Sequence, residues 1–443
     1  MNAARERLRS RLGFLMLAAS SAVGLGNVWR FPYIVGRNGG AAFVLVYLAF
    51  LVLIGFPLLV VELGIGRGAQ RSLAAALPAL APPRTAAFWR RLGTLLASGC
   101  FVLMIYYTDV AGWLLKYTGD FARGHLAANP ESAFAALLAD RPTCAAALAV
   151  VVVLATAVCL AGVVKGIERV TKALMLSLLV LLAILAARAL TLPGAAEGLA
   201  FYLKPDWGAF LAHPESAIAD AMGQAFFTLS LGIGSMTICG SYVGDERSLV
   251  SETAWIIVID TIVALLSGLV IFPTCATYSV PYAEGPGLIF VALPKVFAQM
   301  PGGCFWGFLF FLFLSFAALT TVIAVFECLI AGLMDSLGMN RVRASFLVGL
   351  GVAVLSLPCV LWEGVLGWED FAVSQVWLPL GALAQGFFAV NSTYGWGWTA
   401  FRRSVSTGVG WKLPDAMRYH LAIVVPLLIL AVFVAGLIRS FTS

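Results

Sequence analysis

Four acidic side chains stand inside long apolar runs of this 443-residue chain: Glu62, Asp109, Asp260 and Glu327. An ionisable group at membrane depth is costly and usually functional, because it needs a partner, a proton or a bound cation. Asp260, in AWIIVIDTIVALL, has no basic residue near it in sequence, so a proton or a cation must balance it. Asp109 follows two tyrosines and reads either as such a group or as an acid satisfied by helix packing. A second pattern lies in SFAALTTVIAVFE, where Ala317, Thr320 and Thr321 fall at i, i+3 and i+4. That spacing sets one carbonyl and two hydroxyls on one helical face. Oxygen ligands without a carboxylate suit a weakly bound monovalent cation such as Na⁺ better than Mg²⁺ or Ca²⁺. The same two threonines can equally back-bond to their own helix.

The third pattern is a pair of interruptions. SSAVGLGNVWRFPY, from Ser20 to Tyr33, and LSLGIGS, from Leu229 to Ser235, each put a glycine pair beside polar residues within an apolar run. An unwound segment frees amides and carbonyls that lipid cannot satisfy. Freed amides ahead of a helix suit a carboxylate, and freed carbonyls suit a cation. One glycine pair alone reads as close helix packing. Two at matching positions of inverted halves point to a midplane binding site in a secondary transporter. Arg30 and Asp370 lie beyond the breaks on one side, and Arg5 and Asp335 on the other. Each pair can close a pathway, or simply anchor span ends.

The elements that must position these groups are membrane helices. The chain is 61% hydrophobic and 11% charged, with mean hydropathy +0.96, far beyond a water-soluble domain. Spans of about 20 apolar residues cross the hydrocarbon core, and eleven are expected: 13–37, 41–68, 89–117, 145–163, 168–190, 216–241, 252–278, 304–336, 344–362, 371–397 and 417–438. The alternation of a membrane β-barrel is absent, and the basic N-terminus leads into a span without a small-residue cleavage site. Most Lys and Arg fall on one side when the N-terminus is cytoplasmic, which puts the C-terminus outside. The +6 net charge is therefore a topology signal, with no basic aromatic patch for nucleic acid. Eight cysteines are scattered singly without CxxC, and three histidines lie far apart, so small buried thiols account for them better than a metal or redox site. No polar insertion divides the chain, giving one transmembrane domain over 1–443. The breaks lie five spans apart. An odd offset inverts the halves, with repeat one at 13–190, repeat two at 216–397 and an additional helix at 417–438.

SSAVGLGNVWRFPY, GGAAFVLVYL, ELGIGR, GIERVTK, GQAFFTLSLGIG and FAALTTVIA, in that order along nearly the whole chain, resemble the neurotransmitter:sodium symporter family, and the eleven-span bacterial amino-acid carriers within it. The resemblance implies an all-α polytopic membrane protein of eleven transmembrane helices. It also implies an inverted 5+5 repeat (leucine-transporter-like fold) with helices 1 and 6 unwound at the midplane. It implies two Na⁺ sites, one on Ala22, Asn27, Thr228 and Asp260 with the substrate carboxylate, the other on Ser20, Val23, Ala317, Thr320 and Thr321. Backbone around Ala22, Leu25 and Gly26, with the Tyr107 hydroxyl, would hold the carboxylate. Carbonyls near Phe227 and Thr228, with Ser230, would receive the ammonium, and Leu103, Phe227, Ile233, Thr321 and Val325 would shape the side-chain pocket. Gly24 stands where relatives that carry amines without a carboxylate have Asp, which favours a carboxylate-bearing solute. Chloride-dependent relatives pair a tyrosine and a glutamine, matching Tyr47 and Gln224, with asparagine and serine; here those last positions are Asp260 and Ala264, so chloride-independent transport is expected. The outer gate would be Arg30 with Asp370 beneath a Phe227 lid, and the inner gate Arg5 with Asp335, supported by Tyr242 and Glu327. Gly166 is present, but Leu176 replaces a helix-breaking proline of relatives, which puts inner unwinding of the fifth span in doubt.

The expected activity is Na⁺-coupled import of a hydrophobic or aromatic L-amino acid by alternating access across a bacterial cytoplasmic membrane, with no enzymatic chemistry. The alternatives are proton coupling through Asp260, and a sensor or channel on the same scaffold. The oligomeric state and the preferred amino acid are not encoded in any motif.

Overall fold

The computed structural model describes residues 8, 10–282, 287–362 and 364–432. Among them, eight helices are long and apolar enough to cross a membrane, and the bent pair Arg11–Ala22 and Gly26–Arg37, at 55°, makes a ninth. The sixth expected span is split into Pro214–Thr228 and Ser235–Ser241, each too short to cross alone. The eleventh appears as Met417–Val432, and the rest of its expected length lies outside the described residues. The third span, Ala86–Ala122, and the eighth, Gly303–Leu337, form the centre of the bundle. Each is 72% buried over its most apolar stretch, against 33% for the fifth, Val163–Leu190, and the ninth, Arg341–Leu361. Those two peripheral spans turn an apolar surface outward, as lipid-facing helices do.

Both breaks have local causes. Ser10 opens the first helix by accepting from the Gly13 amide, and Val23, with ψ of 104°, leaves the helical region. In the sixth span Ser230, Gly232 and Gly234 all take positive φ, at 49°, 94° and 88°. A side chain at Gly232 would also meet the Leu378 carbonyl at 2.2 Å, so only glycine fits there.

Proline explains a second recurrent feature. Five wide turns, at Gly26–Arg30, Leu51–Gly55, Leu288–Ala292, Ala372–Trp377 and His420–Val424, each end just before a proline: Pro32, Pro57, Pro294, Pro379 and Pro426. In each, the residue before the proline donates to the carbonyl five positions back, as Phe31 does to Gly26. A proline ring clashes with the carbonyl four residues earlier, and an extra residue per turn carries that carbonyl aside. Pro32 thus widens the turn that carries Asn27. The fifth span is helical through Leu176, and its one wide turn, Val163–Glu168, lies at its start with no proline following.

Candidate substrate and sodium site

The groups freed by the two breaks are accounted for almost one by one. The Gly24 amide donates to Asn27 Oδ1 at 3.1 Å, and the Leu25 amide to the Tyr107 hydroxyl at 3.0 Å. The Gly26 carbonyl accepts from Gln224 Nε2 at 2.8 Å, and the Ser21 carbonyl from Ser230 Oγ at 2.7 Å. On the second break, the Gly232 amide donates to Glu62, and the Gly232 carbonyl accepts from Gln385 Nε2 at 3.0 Å. The thiols of Cys100 and Cys328 donate to the Ile233 and Gly234 carbonyls, each at 3.4 Å. Backbone groups buried in an apolar bundle require such partners, so these side chains hold the unwound segments open.

Two oxygen-rich points result. At the first, Asn27 Nδ2 donates to Asp260 Oδ1 at 2.7 Å, and the Thr228 hydroxyl reaches both carboxylate oxygens at 3.1 Å. All three residues are fully buried. At the second, the Thr321 hydroxyl lies 3.2 Å from each of three carbonyls, those of Ser20, Val23 and Ala317. One hydroxyl carries one hydrogen and satisfies one carbonyl at a time. Three carbonyl dipoles aimed at one spot make a place of negative potential, suited to a hard monovalent cation. Thr320 back-bonds to Ala317 at 2.9 Å, so the local helix reading describes Thr320, whereas Thr321 also bridges to the first span.

Between these points lies a cavity lined by Ser21, Ala22, Gly24, Gly26, Leu103, Tyr107, Phe227, Ser230, Ile233, Thr321, Val373 and Leu378. It is contracted, with about 20 Å³ open to the centre of a water molecule. Of the residues expected to shape it, Leu25 and Thr228 stand just behind it through the bonds above, and Val325 is fully buried and does not line it. Ser21, beside Ser20 in the first motif, was not assigned to the pocket from the sequence, and nothing in the local pattern of Val373 and Leu378, both from the tenth span, marks them. Glu62 was noted as an intramembrane acid, and the structure gives it the task of pinning the second break with Gln385, its neighbour at 3.2 Å.

The gate residues rearrange the expectation. Among the described residues Arg30 forms no ion pair with Asp370: its guanidinium sits over the Phe227 ring, 4.7 Å from the centroid, and Asp370 accepts from the Tyr106 hydroxyl at 3.0 Å. Cation–π attraction competes well with an ion pair where one face of the cation is desolvated. Arg5 lies outside the described residues, so its pairing with Asp335 is not described; Asp335 Oδ2 accepts the Ser72 amide at 2.7 Å. Glu327 accepts from Tyr242. It also receives Arg341 in a two-pronged pair at 2.7 and 2.8 Å, a partner 14 residues away that periodicity does not reveal. Among the described residues, the buried Tyr47 hydroxyl and Gln224 Oε1 make no hydrogen bond. Both oxygens of Asp109 are buried and, among the described residues, make no hydrogen bond.

Two split helices, held open by buried carboxylates, threonines and a tyrosine at the centre of an apolar bundle, define an integral-membrane transporter of the leucine-transporter-like fold. The chain belongs to the sodium:neurotransmitter symporter family, whose model matches residues 5–129 and 135–443. It is 38% identical to an uncharacterised sodium-dependent transporter, YhdH, of Bacillus subtilis (strain 168), over 86% of each chain. It is 27% identical to the sodium- and chloride-dependent GABA transporter 2 of Bos taurus, over 98% of this chain and 80% of that one. The crystal structure of MhsT in complex with L-phenylalanine matches with a TM-score of 0.87 and 36% identity, over 97% of this chain and 99% of that one. This protein is accordingly a sodium-dependent transporter and not an enzyme.

Proposed function

We propose that the chain imports hydrophobic or aromatic L-amino acids by Na⁺-coupled alternating access, without chloride, as a single transmembrane domain of two inverted repeats, 13–190 and 216–397, plus the helix 417–438. It sits in a bacterial cytoplasmic membrane, N-terminus inside. The observation that carries the reading is the convergence of the Ser20, Val23 and Ala317 carbonyls on Thr321. Two of those carbonyls belong to the break in the first span and one to the eighth span, so a sodium ion held there with Thr320 and Thr321 ties the two spans together. The other ion sits among Ala22, Asn27, Thr228 and Asp260, completed by the carboxylate of the solute. Gly24 leaves room for that carboxylate, and the Tyr107 hydroxyl, which already accepts from Leu25, keeps its own hydrogen free to donate to it. Leu103, Phe227 and Ile233 receive the side chain. The binding of L-phenylalanine by MhsT supports this solute class.

Na⁺ and solute shift the equilibrium between outward- and inward-open forms only through their different affinities for each. Arg30 on Phe227, with Asp370, closes the outer route, and Asp335 with Arg5, backed by Tyr242, Glu327 and Arg341, closes the inner one. Uptake by proteoliposomes with Na⁺ outside, after a thermal-shift screen of the twenty amino acids, tests the reading. Concentrative, Na⁺-dependent accumulation of an apolar amino acid is expected. Accumulation driven by a pH gradient without Na⁺ would establish proton coupling instead, and Na⁺-dependent binding without accumulation would establish a sensor.

A further inference from the structure

A much larger cavity lies away from the breaks. It opens about 780 Å³ by the measure that gives the central one about 20 Å³. Its walls are the start of the third span, the end of the eighth span, and the short helix Leu73–Leu80 between the second and third spans. This is the face that holds Asp335, which the distribution of basic residues assigns to the cytoplasm.

The lining has the chemistry of a binding site. Arg71 and Arg90 both contribute to it, and among the described residues neither guanidinium makes a hydrogen bond or an ion pair. Asp335 supplies an acidic group beside them. Pro78, Leu329 and Leu333 make an apolar wall. A cavity of this size falls within the range of small-molecule sites, about 300–1,000 Å³, where a few polar groups fix orientation against an apolar lining. Two guanidiniums without partners among the described residues, against one carboxylate, leave the cavity positive, and a guanidinium fork matches a carboxylate bidentately.

The cavity also touches the machinery. Cys328 lines it, and the same thiol donates to the Gly234 carbonyl at the end of the second break. Cys100 lies 3.7 Å from Cys328 and donates to Ile233, which lines the central cavity. Ile233, Cys100 and Cys328 therefore connect the wall of one cavity to the wall of the other.

We propose that this inner cavity is a second solute site, which takes the amino acid from the cytoplasmic side with its carboxylate on Arg71 and Arg90 and its side chain on the apolar wall. The proposal rests on the amino-acid reading of the central site. A solute packed beside Cys328 holds the thiol on Gly234 and so braces the second break against rearrangement. Accumulated product then slows further uptake, and by reciprocity the state of the break sets the affinity of the inner site.

The test is binding stoichiometry on the full chain in phosphatidylcholine nanodiscs with saturating Na⁺, using labelled L-phenylalanine up to millimolar concentration. Two molecules per chain are expected, one tight and one weak. The double variant Arg71→Ala, Arg90→Ala should bind one, with the tight affinity within twofold of the parent, which also reports that it is folded. L-phenylalaninol, lacking the carboxylate, should not compete at the weak site. A single molecule per chain in the unaltered protein overturns the inner site and leaves the central reading standing. Absence of any amino-acid binding overturns that central reading and the inner site with it. Loss of the weak site in nanodiscs containing phosphatidylglycerol would show that a lipid anion occupies the arginines, and overturns the proposal.

Discussion

Replacing Gly24 by alanine tests whether this position is kept open for the solute carboxylate. A Cβ there would come within 2.5 Å of both the Thr321 hydroxyl and the Tyr107 hydroxyl, against ordinary contact at 3.4 Å or more. Both side chains must therefore retreat by roughly 0.9 Å, the difference of those two distances. Thr321 cannot do so and keep its place among the Ser20, Val23 and Ala317 carbonyls, nor Tyr107 and keep the Leu25 amide. Overpacking of a tight interior costs about 1–3 kcal/mol, and each disturbed buried hydrogen bond about 1 kcal/mol net. With both bonds counted, the sum is about 3–5 kcal/mol, which corresponds to a roughly 140- to 3,700-fold weaker solute. The assay is equilibrium binding of a labelled apolar amino acid at saturating Na⁺, beside a thermal melt. Gly119→Ala, where a Cβ meets nothing within 4 Å, serves as control and should bind as the parent does. Binding by Gly24→Ala within threefold of the parent, in a folded protein, would refute the assignment of this position.

Four further outcomes follow from the same geometry. Tyr107→Phe strips the acceptor from the Leu25 amide and a donor from the solute carboxylate, at about 1–3 kcal/mol, so affinity measured by scintillation proximity should fall about 5- to 140-fold. Thr321→Val removes the hydroxyl from its three carbonyls; the Na⁺ concentration for half-maximal uptake should rise about tenfold or more, and an unchanged value would exclude Thr321 as a sodium ligand. Replacing chloride by gluconate should leave parental uptake unaltered, whereas Asp260→Asn, which deletes the buried negative charge bonded by Asn27 and Thr228, should transport only with chloride; a sharp fall in the parent would sink the chloride-independence argument. Glu327→Gln leaves Arg341, one-fifth exposed, without its charge partner, which for a buried pair costs roughly 3–5 kcal/mol; differential scanning fluorimetry should show a markedly lower melting temperature, with more rapid labelling of inner-face cysteines.

What could be read from the sequence was whatever is written locally. Apolar runs of spanning length depend on composition alone; the glycines of LSLGIGS mark the second break because Gly232 and Gly234 take positive φ, and those of AVGLGN mark the first because a Cβ at Gly24 or Gly26 would lie within 2.8 Å of a neighbouring side chain. Family motifs then assembled Asn27, Thr228 and Asp260, and Ser20, Val23, Ala317 and Thr321, into groups that the structure does bring together. Even Pro32, in the middle of the first motif, follows a local rule: it widens the turn before it.

The tertiary structure decided which long-range partner each polar group takes. Arg30 had a plausible acid in Asp370, but sits on Phe227, and Asp370 went to Tyr106. Glu62 and Gln385, 323 residues apart, meet at Gly232 because two distant spans cross there. Glu327 gained Arg341 from the start of the next span. A carboxylate in low dielectric takes whichever donor the packing delivers, and packing is set by the fit of whole helices, which no short stretch of sequence records.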